Sequence, residues 1–449
     1  MNDWSAERIA KAAGAELRSD GPPPNGGPSR VVIDSREVEP GDLFVGLPGA
    51  HDDGGRFATQ ALEAGAWGVI VGAHFAFRAA GGVVLEASDP LAALQSLARA
   101  WRRELAAKVV AITGSAGKTS TKDMLAALLA PQRAVAASPL NFNTEIGLPL
   151  AVLAAPLETE VLVLELGMRG AGQIAELAAI CEPDVGVIVN VGPAHLEQLG
   201  SLEAVAAAKA ELLAALPADG AAIIPAGEPL LEPYLPRRTA ILRFGPGGDV
   251  SVTAAGPDGV EIDAFGERVV LEPGFRERHL LLDLCAAVAA ARALGVSISG
   301  AIQIELSPLR GERVELAGGV TIINDCYNAN PMSMRAALEQ LGSDAAAMRR
   351  IAVLGDMLEL GGDAEDYHRT LGEQATDARV LTLVTVGALA ELAGESFVGG
   401  DHFHAGDAHE AAGILAPLLQ RGDVVLVKGS RGVGLEAVAR RLTLLRAGR

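Results

Sequence analysis

A glycine turn followed by a lysine and hydroxyl side chains lies between residues 113 and 121. The pattern consists of Gly114, Ser115, Ala116, Gly117, Lys118, Thr119 and Ser120. Free backbone N–H groups and the dipole at a helix N-terminus attract phosphate, and Lys118 adds a positive charge for the β- and γ-phosphates. The Thr119 hydroxyl suits Mg²⁺. Because Ile112 stands where the full Walker pattern has its first glycine, this is a shortened G-x-x-G-K-T form, and we predict that it binds nucleotide phosphates.

The elements around this turn have the order that such a site needs. The apolar run from Val109 to Thr113 predicts a buried parallel strand. The helix that starts at Lys118 is expected to stop before Pro131. A strand, a tight turn and a helix N-terminus therefore follow one another in register, which favours phosphate binding over a chance Gly-Lys-Thr turn.

Two later strands of the same predicted sheet end in side chains that can serve a metal ion. Val161 to Leu164 is fully apolar and ends at Glu165, which is either a metal-associated acid or a glutamate facing water. His195 follows the strand Val185 to Val189 and is either a polar surface residue or part of the site, since ligands bind beyond the carboxyl ends of parallel strands.

A lysine falls within the apolar face of the helix that follows Ser201. At 100° per residue Lys209 lies on the same side as Leu202, Val205 and Leu212. Such a lysine must extend its ammonium to water, find a partner or lose its charge.

Composition limits the classes of function. The 449 residues include 37 Lys+Arg and 56 Asp+Glu, a net charge of −19, which repels nucleic acid and anionic membranes. The three cysteines have no C-x-x-C spacing and are interpreted as buried thiols in a reducing compartment. No signal sequence and no membrane-spanning run is apparent, so a soluble cytoplasmic protein is expected.

The chain divides into three α/β units. We predict a small N-terminal unit at 1–86, a central P-loop-type unit with a mostly parallel sheet at 87–309, and a C-terminal Rossmann-like unit at 310–449. Short strands between residues 220 and 272 are expected to form an antiparallel extension of the central sheet. In the first unit Ser35 and Arg36 follow a strand, where they are either a phosphate or carboxylate site or surface residues beside a turn.

Several separated motifs together resemble those of the Mur ligases. They are TGSAGKTS, NFNTEIGLPL, VLELGM, NVGPAHLEQLGS, AAKAELL, NDCYNANPMSM, LGDMLELG and LVKGSRG, in the family's order over almost the whole chain. The YNANP and KGSR stretches favour the member that joins D-alanyl-D-alanine to UDP-N-acetylmuramoyl-tripeptide.

The resemblance implies a role for each unit. The first would bind the UDP-sugar peptide, the second ATP and Mg²⁺, and the third would close over the nucleotide and bind the dipeptide. No nucleic acid or membrane partner is implied, and a monomer is expected.

The resemblance also implies roles for individual residues. Thr119, Glu165 and His195 would serve the metal, with Lys209 as a carbamylated lysine. Arg313 would meet the γ-phosphate and Asp325 would lie near the ribose. The substrates would be bound by Ser35, Arg36, Asn143, Thr144 and Asn328.

The chain departs from the family where adenine is contacted. The family has His-Asn followed by a second Asn, whereas here His279 is followed by Leu280 and then by Asp283. Asp283 can still accept a hydrogen bond from the adenine amino group.

The implied reaction is ATP-driven amide formation. ATP converts a carboxylate to an acyl phosphate, which an amine then attacks, with Lys118, Arg313 and Mg²⁺ neutralising the phosphoryl charge.

Two other functions fit the phosphate loop. Folylpolyglutamate synthase would begin close to that loop, whereas here more than a hundred residues precede Gly114. A regulatory P-loop GTPase would carry Asn-Lys-x-Asp for guanine, and the sequence lacks it.

Overall fold

The structure is a computed structural model and describes residues 1, 3–18, 26–49, 52–75, 81–139, 141–256, 259–302 and 304–447. Across these residues three β-sheets follow one another along the chain, each with helices packed on it. The predicted α/β class is confirmed.

The N-terminal sheet has the strand order β1-β5-β4-β3-β2, parallel except for β1. Its strands are β1 (Glu16–Arg18), β2 (Val31–Val32), β3 (Leu43–Val45), β4 (Gly68–Gly72) and β5 (Val83–Ala87). Its helices are α1 (Ala6–Ala13), α2 (Ala58–Glu63) and α3 (Pro90–Glu104).

Helix α3 joins the first unit to the second. Asp89 caps its N-terminus and Pro90 occupies the first turn, as the sequence indicates. Its apolar face lies in one buried cluster with side chains of both units. The Trp101 indole donates a 3.1 Å hydrogen bond to the carbonyl oxygen of Ala155, so the first sheet is fixed to the second through this helix.

The central sheet has the order β15-β14-β13-β12-β11-β10-β9-β6-β8-β7. Its strands are β6 (Lys108–Thr113), β7 (Val135–Ala137), β8 (Val161–Glu165), β9 (Val185–Ile188), β10 (Ala221–Pro225), β11 (Ala240–Phe244), β12 (Val250–Gly256), β13 (Gly259–Ala264), β14 (Glu267–Glu272) and β15 (Gly300–Ala301). Its helices are α4 (Lys118–Leu129), α5 (Gly147–Ala154), α6 (Gln173–Cys181), α7 (Leu196–Leu199), α8 (Leu202–Ala214) and α9 (Arg278–Ala293).

The expected antiparallel extension is shorter than predicted. Strand β10 pairs in parallel with β9 and β11, and only β12, β13 and β14 form antiparallel pairs. Residues Ala221 to Ile224 are all buried, which is typical of a parallel strand with both faces covered.

The C-terminal sheet has the order β16-β17-β21-β18-β19-β20. Its strands are β16 (Glu312–Leu316), β17 (Val320–Asn324), β18 (Arg349–Gly355), β19 (Thr382–Val386), β20 (Asp401–Ala405) and β21 (Asp423–Lys428). Its helices are α10 (Pro331–Ser343), α11 (Ala364–Asp377), α12 (Ala393–Ser396), α13 (Ala408–Leu415) and α14 (Glu436–Ala447). The sheet is parallel except for β16, which the sequence analysis missed and which pairs antiparallel with β17.

Strand direction determines where the functional side chains meet. Strands β9, β6 and β8 are parallel neighbours, so the residues that follow them share one edge of the central sheet. Strands β17, β21 and β18 are also parallel neighbours. Cys181, Cys285 and Cys326 are free and buried, as expected. Over the described residues no helix is long and apolar enough to cross a membrane.

Candidate active site

The predicted phosphate loop lies between β6 and α4. Gly117 has φ +77°, which favours glycine, and a Cβ there would lie 2.4 Å from a carboxylate oxygen of Asp283. The first N–H groups of α4 have no intrahelical partner and form a site for an anion. The loop therefore has the conformation that phosphate binding requires.

Asn190, just beyond β9, fixes the first half of the loop. Its Oδ1 accepts hydrogen bonds from the N–H groups of Ser115 (3.0 Å) and Ala116 (2.9 Å), and its Nδ2 donates to the Ala116 carbonyl (3.0 Å). The sequence analysis did not single out Asn190. Its position directly after a strand of this sheet was the available signal.

Lys118 folds back over the loop. Its Nζ donates to the carbonyl oxygen of Gly114 at 2.9 Å. Burial lowers the pKa of Lys118, and Arg310 lowers it further, although Glu165 acts in the opposite sense. Lys118 thus shares its electrostatic environment with a carboxylate and a second cation.

Glu165 is buried, so the alternative of a glutamate facing water is wrong. Its Oε2 accepts a 2.6 Å hydrogen bond from the Thr119 hydroxyl, and its Oε1 accepts one of 2.7 Å from Asn143 Nδ2. The structure therefore brings Thr119 and Glu165 together, as predicted. It also places Asn143 against the predicted metal acid, while Thr144 Oγ1 accepts from the Gly147 N–H at 3.3 Å at the start of α5.

The side chain of Lys209 on α8 is buried in the protein interior, with 1% of its surface exposed, so extension of its ammonium to water is excluded. Among the described residues none accepts a hydrogen bond from it or forms an ion pair with it. Burial lowers the pKa of Lys209 well below its ordinary value, and the charge of Lys118 lowers it further. A neutral amine is favoured at this position.

His195 is held by the C-terminal unit. It has φ +57°, and its Nδ1 lies 2.5 Å from Oε2 of Glu359. Burial lowers the pKa of His195, and Lys118 and Lys209 also lower it, while Glu359 opposes them. The imidazole is therefore within electrostatic reach of both lysines.

The residues present are compatible with a metal ion if Lys209 is carbamylated. No group of three or more His, Cys, Asp or Glu side chains that could hold a metal lies within the described residues. A carbamate on the unpartnered amine of Lys209 would add oxygen ligands to the set formed by Glu165, Thr119 and His195, and oxygen is the ligand that Mg²⁺ prefers.

Arg310 and the predicted Arg313 lie in different surroundings. The Arg313 guanidinium forms an ion pair with Asp344 at 2.8 Å. Arg310 stacks over Tyr327 at 4.2 Å, and its charge acts on both Lys118 and Asp283. Arg310 is therefore a further candidate for the γ-phosphate beside the predicted Arg313, and the sequence analysis did not single it out.

Asp325 and Asn328 surround a buried lysine of the C-terminal unit. Lys428 Nζ lies 2.7 Å from Asp325 Oδ2 and donates to the Asn328 carbonyl at 3.1 Å. Asn328 Oδ1 accepts from the N–H of Ala329 at 2.9 Å. The residue of this motif that reaches the phosphate loop is Asn330, whose Nδ2 donates to the Ser115 carbonyl at 2.9 Å.

The remaining predicted residues lie in different surroundings. Asp283 is buried against Gly117, and burial raises its pKa well above the ordinary value, which favours a neutral acid there. Arg36 is exposed and paired with the neighbouring Asp34 at 2.5 Å, whose pKa is lowered to about 2 by that hydrogen bond. Ser35 lies beside this pair, partly exposed.

Together the fold and site define a nucleotide-binding α/β protein with a covered phosphate loop. Three family models match the chain: "Mur ligase family, catalytic domain" at residues 29–102, "Mur ligase middle domain" at 112–291 and "Mur ligase, glutamate ligase domain" at 309–431. The chain belongs to the Mur ligase family.

Named relatives and solved structures are similar along most of the chain. A Bacillus subtilis protein named UDP-N-acetylmuramoyl-tripeptide–D-alanyl-D-alanine ligase is 34% identical over 424 residues, 92% of each chain. A MurF crystal structure from Acinetobacter baumannii has a TM-score of 0.89 and 30% identity, covering 98% of this chain and 99% of that one. The Thermotoga maritima MurF ligase in complex with ADP has a TM-score of 0.81 and 32% identity, covering 94% and 98%.

Proposed function

We propose that this chain is an ATP-dependent ligase that joins D-alanyl-D-alanine to UDP-N-acetylmuramoyl-tripeptide, in the synthesis of cytoplasmic peptidoglycan precursors. The observation that carries the proposal is the arrangement of Lys118, Thr119 and Glu165 at a phosphate loop covered by the C-terminal unit. Relatives that carry this name over 92% of their own length support the choice of substrates.

The chemistry requires activation of a carboxylate. A carboxylate does not acylate an amine at neutral pH because its leaving group is poor. Transfer of the γ-phosphoryl group of ATP to the terminal carboxylate of the tripeptide gives an acyl phosphate and ADP. The amine of the dipeptide then attacks the acyl carbon, and the tetrahedral intermediate expels inorganic phosphate.

The side chains around the loop stabilise charge during phosphoryl transfer. Lys118, whose Nζ lies at the loop, and Arg310, whose charge acts on Lys118, would neutralise the transferred group, and the N-terminus of α4 would supply N–H donors. Gly114, Ser115, Ala116, Gly117 and Ser120 complete the phosphate loop. The C-terminal unit contacts the loop through Asn330, and closure of that unit would exclude the water that otherwise hydrolyses the acyl phosphate.

We also propose a Mg²⁺ site formed by Thr119, Glu165, His195 and a carbamate on Lys209. Mg²⁺ bound there would neutralise phosphoryl charge. The buried, unpartnered amine of Lys209 supports the carbamate, because a neutral amine reacts with CO₂ and the product is an anion within reach of the charge of Lys118.

The resemblance to the Mur ligases also supports an assignment of each substrate to one of the three units. Residues 1–86 would bind the UDP-sugar peptide, with Ser35, Arg36, Asn143 and Thr144 as candidate contacts. Residues 87–309 would bind ATP, with Asp283 near the adenine. Residues 310–449 would bind the dipeptide, with Asn328 as a candidate contact and Asp325 near the ribose, and we propose a monomer.

An ATP-dependent phosphate-release assay tests the function. Phosphate release is expected only when UDP-linked tripeptide and D-alanyl-D-alanine are both present, because the acyl phosphate needs an acceptor to turn over. Brisk ATP hydrolysis with neither substrate would contradict the ligase and favour a regulatory NTPase. Tripeptides with diaminopimelate or lysine at the third position, tested in parallel, would identify the preferred substrate.

A further inference from the structure

Glu359 joins the C-terminal unit to His195 across the interface between the two units. Its Oε2 lies 2.5 Å from His195 Nδ1, and its Oε1 lies 3.5 Å from Nε of Arg169. Because an ionised carboxylate can only accept, the proton of this hydrogen bond is on Nδ1 of His195. The other ring nitrogen, Nε2, is then left with a lone pair.

The backbones on the two sides of this contact are also joined. The N–H of Glu197 donates to the carbonyl oxygen of Glu359 at 3.2 Å. A Cβ on Gly361 would lie 3.1 Å from Cα of Glu197, so the two loops are in close contact. His195 and Glu359 have φ values of +57° and +63°, which non-glycine residues adopt when their surroundings hold them there.

The loop that carries Glu359 is fixed within its own unit. The N–H of Met357 donates to Nε2 of the buried His368 at 2.9 Å, and the N–H of Leu358 donates to the Ser430 hydroxyl at 2.9 Å. The loop that carries Glu359 is therefore anchored in the C-terminal unit, and it presents the carboxylate to His195 from there.

We propose that Glu359 is a positioning residue for His195. The His195 imidazole then has the orientation and protonation of a metal ligand only when the C-terminal unit is docked on the central unit. The proposal rests on the metal role of His195 given under the proposed function. A carboxylate that accepts from one imidazole nitrogen orients the ring and strengthens the other nitrogen as a metal ligand. Here that carboxylate comes from a different unit, so docking and metal affinity are coupled.

Two substitutions and a matched control test this inference. Glu359→Ala removes the acceptor, whereas Glu359→Gln keeps a neutral acceptor and removes the charge. The control is Gln340→Ala, because Gln340 Nε2 donates to Glu277 at 2.9 Å across the same interface without touching His195. A melting experiment on each variant verifies folding.

The first readout needs neither metal nor substrate. In ¹⁵N-histidine-labelled protein, with the His195 signals assigned by their loss in His195→Gln, the wild type should show the Nδ1-protonated tautomer. Glu359→Ala should show a mixture of tautomers, while Glu359→Gln and Gln340→Ala should retain the wild-type form. Unchanged His195 signals in Glu359→Ala would overturn the proposal.

The second readout is binding of Mn²⁺ to the nucleotide-free protein, followed by electron paramagnetic resonance. Glu359→Ala should weaken Mn²⁺ binding about tenfold, the lower end of the effect of losing such a partner, and Gln340→Ala should not. Equal affinity in Glu359→Ala and wild type would refute the coupling. Since neither readout uses ATP or peptide, failure of the ligase assay would contradict the proposed function without deciding this inference.

Discussion

The side-chain amide of Asn330 donates a 2.9 Å hydrogen bond to the main-chain carbonyl of Ser115, across 215 positions of the chain. Asn330 is also the N-cap of α10, where its Oδ1 accepts from the N–H of Ser333 at 2.9 Å. The start of a helix in the C-terminal unit is therefore attached to the phosphate loop. The sulfur of Met332 packs so close to Gly192 that a Cβ there would lie 1.8 Å from it, which adds a second contact of the same kind.

Asn330→Asp should weaken the use of ATP without unfolding α10. The aspartate keeps the N-cap acceptor but places a carboxylate oxygen against the Ser115 carbonyl, where the amide had donated. We expect the KM for ATP to rise about tenfold, corresponding to ~1.4 kcal/mol for the lost hydrogen bond. Steady-state phosphate release at varied ATP measures the change, and an unaltered KM would show that this contact is irrelevant to nucleotide binding.

Lys118→Ala should reduce phosphate release about a hundredfold or more, which corresponds to ~3 kcal/mol for one preorganised charge in a dry site. Lys11→Ala is the control, because Lys11 is exposed on α1, far along the chain from the loop. A Lys118→Ala enzyme within threefold of wild type would refute the phosphate role.

Arg310→Ala and Arg313→Ala should differ strongly. The charge of Arg310 acts on Lys118 at the phosphate loop, so the loss of the Arg310 guanidinium should lower kcat about a hundredfold. Arg313 forms a partly exposed pair with Asp344, and such pairs contribute less than about 1 kcal/mol, so its loss should change kcat only slightly. Comparison of kcat at saturating ATP decides between them, and the reverse order would restore Arg313 as the γ-phosphate residue.

Lys209→Ala should abolish activity while the fold remains, and acetate or formate should restore part of it. The short carboxylate would replace the anionic oxygens of the proposed carbamate in the space that the lysine side chain leaves. Lys209→Arg should not be rescued, because a guanidinium keeps its positive charge in the pocket. Mass spectrometry or electron density showing an unmodified lysine at a metal-loaded site, with no rescue of Lys209→Ala, would leave Lys209 without a catalytic role.

His368 should make the protein less stable in acid. Its Nδ1 contacts the Ala364 carbonyl at 2.6 Å, its Nε2 accepts from Met357, and burial lowers its pKa below the ordinary value. The unfolded chain therefore binds more protons than the folded one as the pH falls, and the free energy of unfolding decreases below about pH 6.5. The loss at pH 5.5 is at most about 1.4 kcal/mol.

Urea denaturation at pH 7.5 and pH 5.5 measures this loss. His368→Gln is the comparison, because glutamine can accept and donate but does not titrate. The substituted protein should lose less stability between the two pH values than wild type. Equal losses in the two proteins would assign the acid sensitivity to other groups.

Local patterns predicted the strand-turn-helix unit and most long elements, because an apolar run or a helical face extends over several residues. Strands β3 and β16 were missed, because β3 has only three residues and β16 is largely exposed, with charged side chains at Glu312, Arg313 and Glu315 in place of an apolar run. The parallel pairing of β10 depends on its neighbours β9 and β11, which its own residues do not encode.

The candidate site shows the same limit. The pairing of Thr119 with Glu165 follows from adjacent parallel strands, so motif and topology together were sufficient to predict it. The preference for Arg310 over Arg313, and the contact of Glu359 with His195, depend on how the C-terminal sheet is seated on the central one. The roles of the site residues stay predictions until the variants are measured.

The segment that connects the central and C-terminal units is attached to α4 at Ser307, and this attachment limits the displacement of the residues next to Ser307. Both the N–H and the hydroxyl of Ser307 donate to Oδ2 of Asp123 on that helix, each at 2.8 Å. Three residues of chain span at most about 10 Å, so Arg310 stays within that radius of Ser307 in every arrangement of the C-terminal unit. Glu359 is separated from Ser307 by many more residues, so the chain sets no comparable limit on the displacement of Glu359. A fluorophore attached near Glu359 is therefore free to report a larger displacement of the C-terminal unit than one beside Arg310.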